Sequence, residues 1–272
     1  MKSGFGIFIA VLLTLGGSWI GFVAAPTFQL GAARQTTVLV SGDIWPQQRT
    51  GEATLGLQVY RANGCAACHT QQLRQEGVSF DVVLTGAEKN PAAVSNLISS
   101  LKLSALNKEE ADAAAGKITA AGGKVETHMN AFGADISRYH AVRRSVAADF
   151  LYDAPAQLGS LRAGPDLANI GARQPVGSVH LQHLYAPASV TKNSAMPSFK
   201  YLFEVRRKVN GEFAADALSQ LPPEFAPADG YEVVPKLEAK QMVAYLLSLR
   251  ADVPLYEAPF TAPQPATSAP VK

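Results

Sequence analysis

The chain contains very few thiols and no strong excess of charge of either sign. Its 272 residues include two cysteines, Cys65 and Cys68, which lie in one short motif. A second disulfide, a four-cysteine zinc site and a four-cysteine iron–sulfur site are therefore excluded. The formal net charge of +2 does not indicate binding to nucleic acid. The length is sufficient for one or two domains with a proper core.

Charged residues are also absent from residues 5–25, which are almost entirely apolar. As a helix, these 21 residues would be about 31 Å long, which matches a hydrocarbon core of about 30 Å. The alternative is a signal peptide cleaved after Val23-Ala24-Ala25, but the apolar run exceeds the usual length and Pro26 would follow the cut. We therefore predict a transmembrane anchor at residues 1–25. Lys2 on its short side predicts that the rest of the chain is exported.

The two cysteines belong to the sequence Cys65-Ala66-Ala67-Cys68-His69, which is the attachment signature of c-type haem. Two thiols separated by two residues can add to the two vinyl groups of one porphyrin, and the next residue then directs its imidazole at the iron. A thioredoxin-like pair needs no following His and usually closes a strand, whereas a helical pattern precedes this motif. Half a zinc site would lack its other thiolates. The motif predicts one covalent haem c with His69 as an iron ligand.

The sixth position of the iron is filled by a sulfur or an imidazole, or it stays open. The candidate ligands are His128, His140, His180, His183, Met129, Met196 and Met242. Met242 lies on the apolar face of a predicted helix and is expected in the core. Met196 lies in a rigid polar loop, directly before Pro197, from which a thioether can be directed at a metal. We predict Met196 as the ligand, because the pair of His and Met is a standard haem c arrangement.

Hydrophobic periodicity predicts a mainly α fold. Helices are expected from near Glu52 to Gly64 and from Leu237 to Leu249. Residues 82–130 are predicted to form a helical insertion made of two amphipathic helices. Tyr201 to Phe213 is predicted to form a small β-hairpin that turns at Asn210-Gly211.

Three further segments complete the predicted organisation. A juxtamembrane connector occupies residues 26–51, and one haem domain occupies residues 52–258. Residues 259–272 are rich in Ala, Pro, Thr and Ser, a composition that predicts a disordered tail.

Several short segments resemble class I cytochromes c. They are Gly56, Tyr60, the haem motif, Gly164-Pro165-Asp166-Leu167, Gly171-Ala172-Arg173, Met196-Pro197 and Val243-Ala244-Tyr245-Leu246. The resemblance implies a class I cytochrome c domain in which the first and last helices cross. It implies that the carbonyl group of Pro165 accepts a hydrogen bond from Nδ1 of His69 and thereby tunes the basicity of the ligand. It also implies that Arg173 contacts a haem propionate.

The chain resembles one family more closely, the mono-haem subunit II of cbb(3)-type cytochrome c oxidases. The segments that carry this likeness are the anchor, Cys68 to Arg74, Arg138-Tyr139-His140, Asp149 to Asp153, Gly164 to Ala168 and Ser194 to Pro197. The resemblance implies a periplasmic haem domain, held by one span in the bacterial inner membrane. Such a subunit accepts electrons from a di-haem cytochrome c subunit and passes them to the catalytic haem-copper subunit. It has no catalytic residue of its own. The segments 82–130 and 200–235 look elaborated relative to this family.

Three alternatives remain open on the sequence. The cytochrome c subunit of nitric oxide reductase also combines an anchor, one haem and a Met-Pro pair, but it is usually shorter. A haem-based sensor or a peroxidase-like protein would need an open sixth position on the iron, which an absorbance band of the Fe–Met bond would exclude. A thiol oxidoreductase at Cys65 and Cys68 would carry no haem stain after denaturing electrophoresis.

Overall fold

The N-terminal segment is a long apolar helix. The computed structural model describes residues 2–31, 34–87, 91–138 and 141–261. The helix comprises α1 (Lys2–Trp19), a π-helical turn (Ile20–Ala24) and α2 (Ala25–Gly31). The turn ends two residues before Pro26, which lacks the N–H of a regular helix and clashes with the preceding turn. Within the described residues, Gly4–Gln29 is the single helix long and apolar enough to cross a membrane. The helix thus extends beyond residue 25, where the predicted anchor ends.

The connector after this helix is packed against the haem domain. It forms the short strands β1 (Thr36–Thr37) and β2 (Ile44–Trp45), which pair antiparallel. Val38 is buried in a small apolar cluster with Val146, Ala148, Leu255 and Ala258. Residues 36–45 are therefore joined to the domain by apolar burial as well as by the chain.

The first helix of the haem domain crosses the last one. Helix α3 (Gly51–Ala62) begins at Thr50, whose side chain accepts a hydrogen bond from the backbone N–H of Ala53 at 3.2 Å. It ends before Gly64, which has a positive φ of 65°. The haem motif then begins with a short 3₁₀ turn (Cys65–Ala67). Both the helix and its glycine stop agree with the prediction.

Residues 77–132 contain a sheet as well as the two predicted helices. In chain order the elements are β3 (Gly77–Ala87), α4 (Pro91–Ser100), β4 (Ser104–Ala105), α5 (Lys108–Ala120) and β5 (Gly123–Phe132). The strands form one antiparallel sheet in the order β4-β3-β5, and the helices bury Val94, Ala111 and Ile118 against it. The prediction of a purely helical insertion is therefore wrong, although both predicted helices are present. Phe80 and Val82, two residues apart in β3, pack in the core of the insertion, so the two-residue apolar period was present in the sequence.

The second half of the domain is rich in short elements that end in one long helix. They are α6 (Ala134–Ser137), a 3₁₀ turn (Ala147–Phe150), α7 (Ile170–Arg173), α8 (Gly177–Tyr185), α9 (Pro187–Val190), a 3₁₀ turn (Lys200–Leu202), β6 (Phe203–Arg207), β7 (Tyr231–Pro235) and α10 (Leu237–Ser248). Helix α10 agrees with the prediction. It buries Ala239, Met242 and Tyr245, and this main core also receives Leu57 and Tyr60 from α3.

The predicted β-hairpin has the predicted turn but a different partner strand. Asn210 and Gly211 have positive φ angles of 54° and 78°, and a single bridge joins Val209 to Glu212. However, β6 pairs antiparallel with β7, which lies beyond the predicted hairpin. Val233 and Val234 of β7 are buried, whereas Glu212 and Phe213 are exposed. Burial of these valines favours β7 as the partner.

The start of the predicted disordered tail is packed on the insertion. The backbone N–H of Thr261 donates to the carbonyl oxygen of Met129 at 2.7 Å, and Phe260 is 8% exposed. The prediction therefore began the tail too early, since residues 259–261 are held by β5. Residues 262–272 lie outside the described residues. The structure is 42% helical and 16% strand, which is consistent with a mainly α chain that has more sheet than one hairpin.

Candidate haem site

The haem motif lies on a tight turn at the end of α3. Cys65 is half-buried and Cys68 is exposed, and both are free thiols. The backbone N–H of His69 donates to the carbonyl oxygen of Cys65 at 3.0 Å, which closes the turn. Burial raises the pKa of the Cys65 thiol to about 11. The turn therefore presents two thiols and one imidazole from five consecutive residues.

The ring of His69 is held by the segment that contains Pro165. Nδ1 of His69 lies 2.8 Å from the carbonyl oxygen of Pro165. A carbonyl oxygen can only accept, so Nδ1 carries the proton and the lone pair is on Nε2. A Cβ atom at Gly164 would overlap Cε1 of the ring and lie 2.7 Å from Nδ1. Gly164 thus lets the backbone approach the imidazole closely, and the hydrogen bond expected from the resemblance is present.

Arg173 carries a buried donor that has no protein partner. Its Nη2 donates to the carbonyl oxygen of Asp166 at 2.7 Å, whereas its Nε is buried without a hydrogen-bond partner among the described residues. Burial lowers the pKa of this guanidinium. An anionic group at Nε would satisfy the donor and offset the cost of burying the charge.

Most of the candidate sixth ligands lie in unsuitable places. His128 and Met129 are on β5, paired with Asp81 and Phe80 inside the insertion sheet. Met242 is only 1% exposed and belongs to the main core, as predicted from its helix face. His140 lies outside the described residues.

Two histidines on α8 and one methionine remain near the haem motif. Nε2 of His180 lies 2.7 Å from the carbonyl oxygen of Gln174, so this ring is already held by the protein. His183 is half-buried, and its pKa is lowered by burial and then by the positive charges of His180 and His69. That electrostatic interaction with His69 makes His183 the main rival of Met196.

Met196 packs against the main core together with Cys65 and Ala66 of the haem motif. Its loop is held by local hydrogen bonds, because the Met196 N–H donates to Oγ of Ser194 at 3.3 Å and the Phe199 N–H donates to the carbonyl oxygen of Leu184 at 2.9 Å. Asn193 adopts a positive φ of 60° where the loop turns. The thioether is therefore carried by an ordered loop that packs against the same core as the motif.

The predicted site residues fit a c-type haem. The fit rests on two free thiols on one turn, an imidazole whose lone pair is on Nε2, and the buried unpartnered Nε of Arg173. The glycine against the ring of His69 provides the close backbone approach such a ligand needs. Sequence reasoning identified these groups because each belongs to a short contiguous motif.

One cavity lies away from the predicted site residues. It has a volume of about 420 Å³, and its walls include Trp45, Arg49, Gln71 and Asp153. It lies between the connector, the start of α3 and the end of α10. None of the six predicted site residues lines it. The haem chemistry is therefore not assigned to this cavity.

A comparison with family models supports the same assignment. Residues 126–221 match the model described as the cytochrome c oxidase mono-heme subunit, FixO. The predicted resemblance is confirmed over this segment. This segment covers about a third of the chain and includes several of the segments that carry the resemblance. The matched residues include Pro165, Arg173 and Met196, whereas the haem motif precedes them. No curated protein was found to match the chain.

Sequence reasoning missed an ionic cluster behind His69. Its members are Thr70, Asp135, Arg162 and Asp166. The spacing of four residues between Arg162 and Asp166 was a weak signal of contact. Nothing in the sequence links Asp135 to the other three, because it lies at the far end of the insertion.

Proposed function

We propose that the chain is a membrane-anchored mono-haem c-type cytochrome that relays single electrons to the catalytic subunit of a cbb(3)-type haem-copper oxidase. The observation that carries this proposal is the turn from Cys65 to His69, with Nδ1 of His69 bonded to the Pro165 carbonyl group. The match to the mono-haem oxidase subunits supports the oxidase as the partner complex.

Each site residue has a defined role in this proposal. Cys65 and Cys68 would hold the porphyrin through thioether bonds, formed by addition of each thiol to a vinyl group, and Nε2 of His69 would bind the iron. The Pro165 carbonyl group accepts a hydrogen bond from Nδ1–H of His69, which increases electron donation by the imidazole. Met196 would supply its Sδ atom as the second protein ligand of the iron. The Nε of Arg173 donates to a propionate.

The bound haem supplies one-electron chemistry, and Met ligation raises its reduction potential relative to other axial ligands. His69 and Met196 would hold the iron and leave it no open position, and Arg173 would offset the propionate charge. None of them forms a bond to a substrate. We therefore assign no catalytic residue and describe the chain as an electron-transfer subunit.

The proposed location follows from the N-terminal helix. Gly4–Gln29 provides one span, and Lys2 is expected to remain on the cytoplasmic side. The haem domain then faces the periplasm of a bacterial inner membrane. There it would accept electrons from a di-haem cytochrome c subunit of the same complex.

Purification of the tagged full-length chain from its native membrane tests this proposal. We expect a haem stain that survives denaturing electrophoresis and co-elution of a haem-copper oxidase subunit with a di-haem cytochrome. A variant in which Cys65 and Cys68 are both replaced by Ala is the control, and it should lose the stain. Recovery of the chain alone, or with a nitric oxide reductase subunit, would contradict the oxidase assignment.

A further inference from the structure

The guanidinium group of Arg162 joins three separate parts of the chain behind His69. Its Nε donates to Oγ1 of Thr70 at 2.6 Å, and its Nη1 donates to Oδ1 of Asp135 at 2.5 Å. Its Nη2 donates to the carbonyl oxygen of Gln72 at 2.5 Å and to Oδ2 of Asp166 at 3.2 Å. The planar fork of an arginine is suited to such simultaneous contacts, whereas an ammonium group is not.

Asp166 connects the two segments of the chain that carry the partners of the His69–Pro165 hydrogen bond. Its Oδ2 accepts from Oγ1 of Thr70 at 2.6 Å and from the backbone N–H of Gln72 at 2.8 Å. Thr70 directly follows His69, and Asp166 directly follows Pro165. The side chains next to both partners of the hydrogen bond are therefore tied to each other.

Backbone contacts add to this connection. The N–H of Gly164 donates to the carbonyl oxygen of Cys68 at 2.9 Å, and the N–H of Leu167 donates to the carbonyl oxygen of Thr70 at 2.8 Å. The position of the Pro165 carbonyl group relative to the imidazole thus depends on how firmly these two segments are held together.

Asp135 brings the base of the insertion into the same cluster. It lies in α6, directly after β5, and its Oδ2 also accepts from the backbone N–H of Arg74 at 2.8 Å. The Asp135 and Asp166 side chains are 2% and 0% exposed, so each depends on Arg162 to compensate its buried charge. These contacts raise the pKa of Arg162, chiefly through the hydrogen bond to Asp135.

We propose that Arg162 is a positioning residue for the axial ligand, which acts through Thr70 and Asp166 to hold the His69–Pro165 hydrogen bond. This inference rests on the proposed haem ligation by His69. A firm hydrogen bond at Nδ1 increases the basicity of the imidazole and favours the ferric state. Loosening the cluster should weaken that bond and raise the reduction potential.

The test compares two substitutions at Thr70 in the full-length haem-loaded protein. Thr70→Val removes the hydroxyl group that joins Arg162 to Asp166 without changing any charge. We expect about a tenfold shift of the redox equilibrium towards the ferrous form, which is about +59 mV for a one-electron couple. Thr70→Ser restores the hydroxyl group and should return the potential to the wild-type value. In the reduced protein, the Nδ1 proton of His69 should exchange faster with solvent in Thr70→Val.

A second pair of variants keeps the inference testable if Thr70→Val fails to fold. Arg162→Lys retains the charge but loses the fork, and it should raise the potential in the same direction. Arg206→Lys is the matched control, since Arg206 pairs with the buried Glu232 at 2.9 Å within the β6–β7 sheet. The control should leave the potential unchanged.

The outcomes separate this inference from the proposed function. Absence of covalent haem in the wild-type protein would contradict the proposed function itself. A haem-loaded wild type with unchanged potentials in Thr70→Val and Arg162→Lys would contradict only the role of Arg162. An equal shift in Arg206→Lys would also contradict it, because the potential would then report general destabilisation.

Discussion

Met196, the proposed sixth ligand of the iron, and His183 are the two candidates that we compare. Met196 packs against the main core, as Cys65 and Ala66 also do, and its N–H donates to the Ser194 hydroxyl group. His183 interacts electrostatically with His69 from α8. The two ligands have different consequences, because a thioether raises the haem potential whereas a second imidazole does not.

Replacing Met196 by Ala should open the sixth position and lower the reduction potential. The far-red absorbance band of the Fe–Met bond should disappear, and a redox titration should report the change. Met242→Leu is the matched control, since Met242 is a core methionine and a volume-conserving change there should cost less than about 1.5 kcal/mol. An unchanged spectrum in Met196→Ala, together with a changed one in His183→Ala, would assign the ligand to His183.

The crossing of α3 and α10 determines where the haem motif begins. Tyr60 and Tyr245 pack with their ring centroids 5.1 Å apart, and the hydroxyl group of Tyr245 donates to Oε1 of Gln71 at 3.0 Å. Gly56 lies at the closest approach of the two helices. A Cβ atom there would overlap the carbonyl oxygen of Gln241 and lie 2.8 Å from Cβ of Tyr245.

Gly56→Ala should therefore lower the free energy of unfolding, by about 1–3 kcal/mol, because the helices must separate. Denaturant unfolding followed by circular dichroism measures the change. Gly116→Ala is the control, since Gly116 lies in α5 and its added Cβ would meet nothing within 4 Å. There the better helix propensity of Ala should stabilise the protein by up to about 1 kcal/mol. Equal effects at the two glycines would contradict the close crossing.

At the scale of the whole molecule, the haem domain and the insertion have separate cores. Leu57, Tyr60 and Met242 belong to the main core, whereas Val82 and Ile118 belong to the core of the insertion. The insertion also begins and ends at one place, because Gly77 at the start of β3 pairs with Phe132 at the end of β5. Paired residues of this kind lie only about 5 Å apart.

Deleting residues 78–131 and joining Gly77 to Phe132 through an Asn-Gly turn should leave haem attachment intact. A two-residue turn of this type spans an antiparallel pair. The deletion retains Asp135 and Arg162, so the cluster behind His69 is preserved. The measurement is the haem content per polypeptide after purification, with the full-length chain in parallel. Loss of covalent haem from a folded deletion variant, purified from the membrane like the full-length chain, would show that the two cores are not independent.

Local patterns predicted much of the fold because their causes are local. Helix α3 stops at Gly64, where a positive φ is needed, and Asn107 accepts a hydrogen bond from the backbone N–H of Glu110 at 2.8 Å at the start of α5. The turn at Asn210-Gly211 formed for the same reason. Its strand did not pair as predicted, because the choice between β7 and the nearer segment depended on burial of Val233 and Val234 in a distant core.

The sequence alone determined the motif from Cys65 to His69, because the proposed attachment and ligation depend on five consecutive residues. It also determined the apolar helix, whose length and composition are properties of a contiguous run. Only the tertiary structure decided that Arg162 joins Asp135 to Asp166, and that Asp166 reaches Thr70 across 96 positions of the chain. These contacts are formed by burial of charged groups that must then be paired, and sequence spacing does not specify which charges meet.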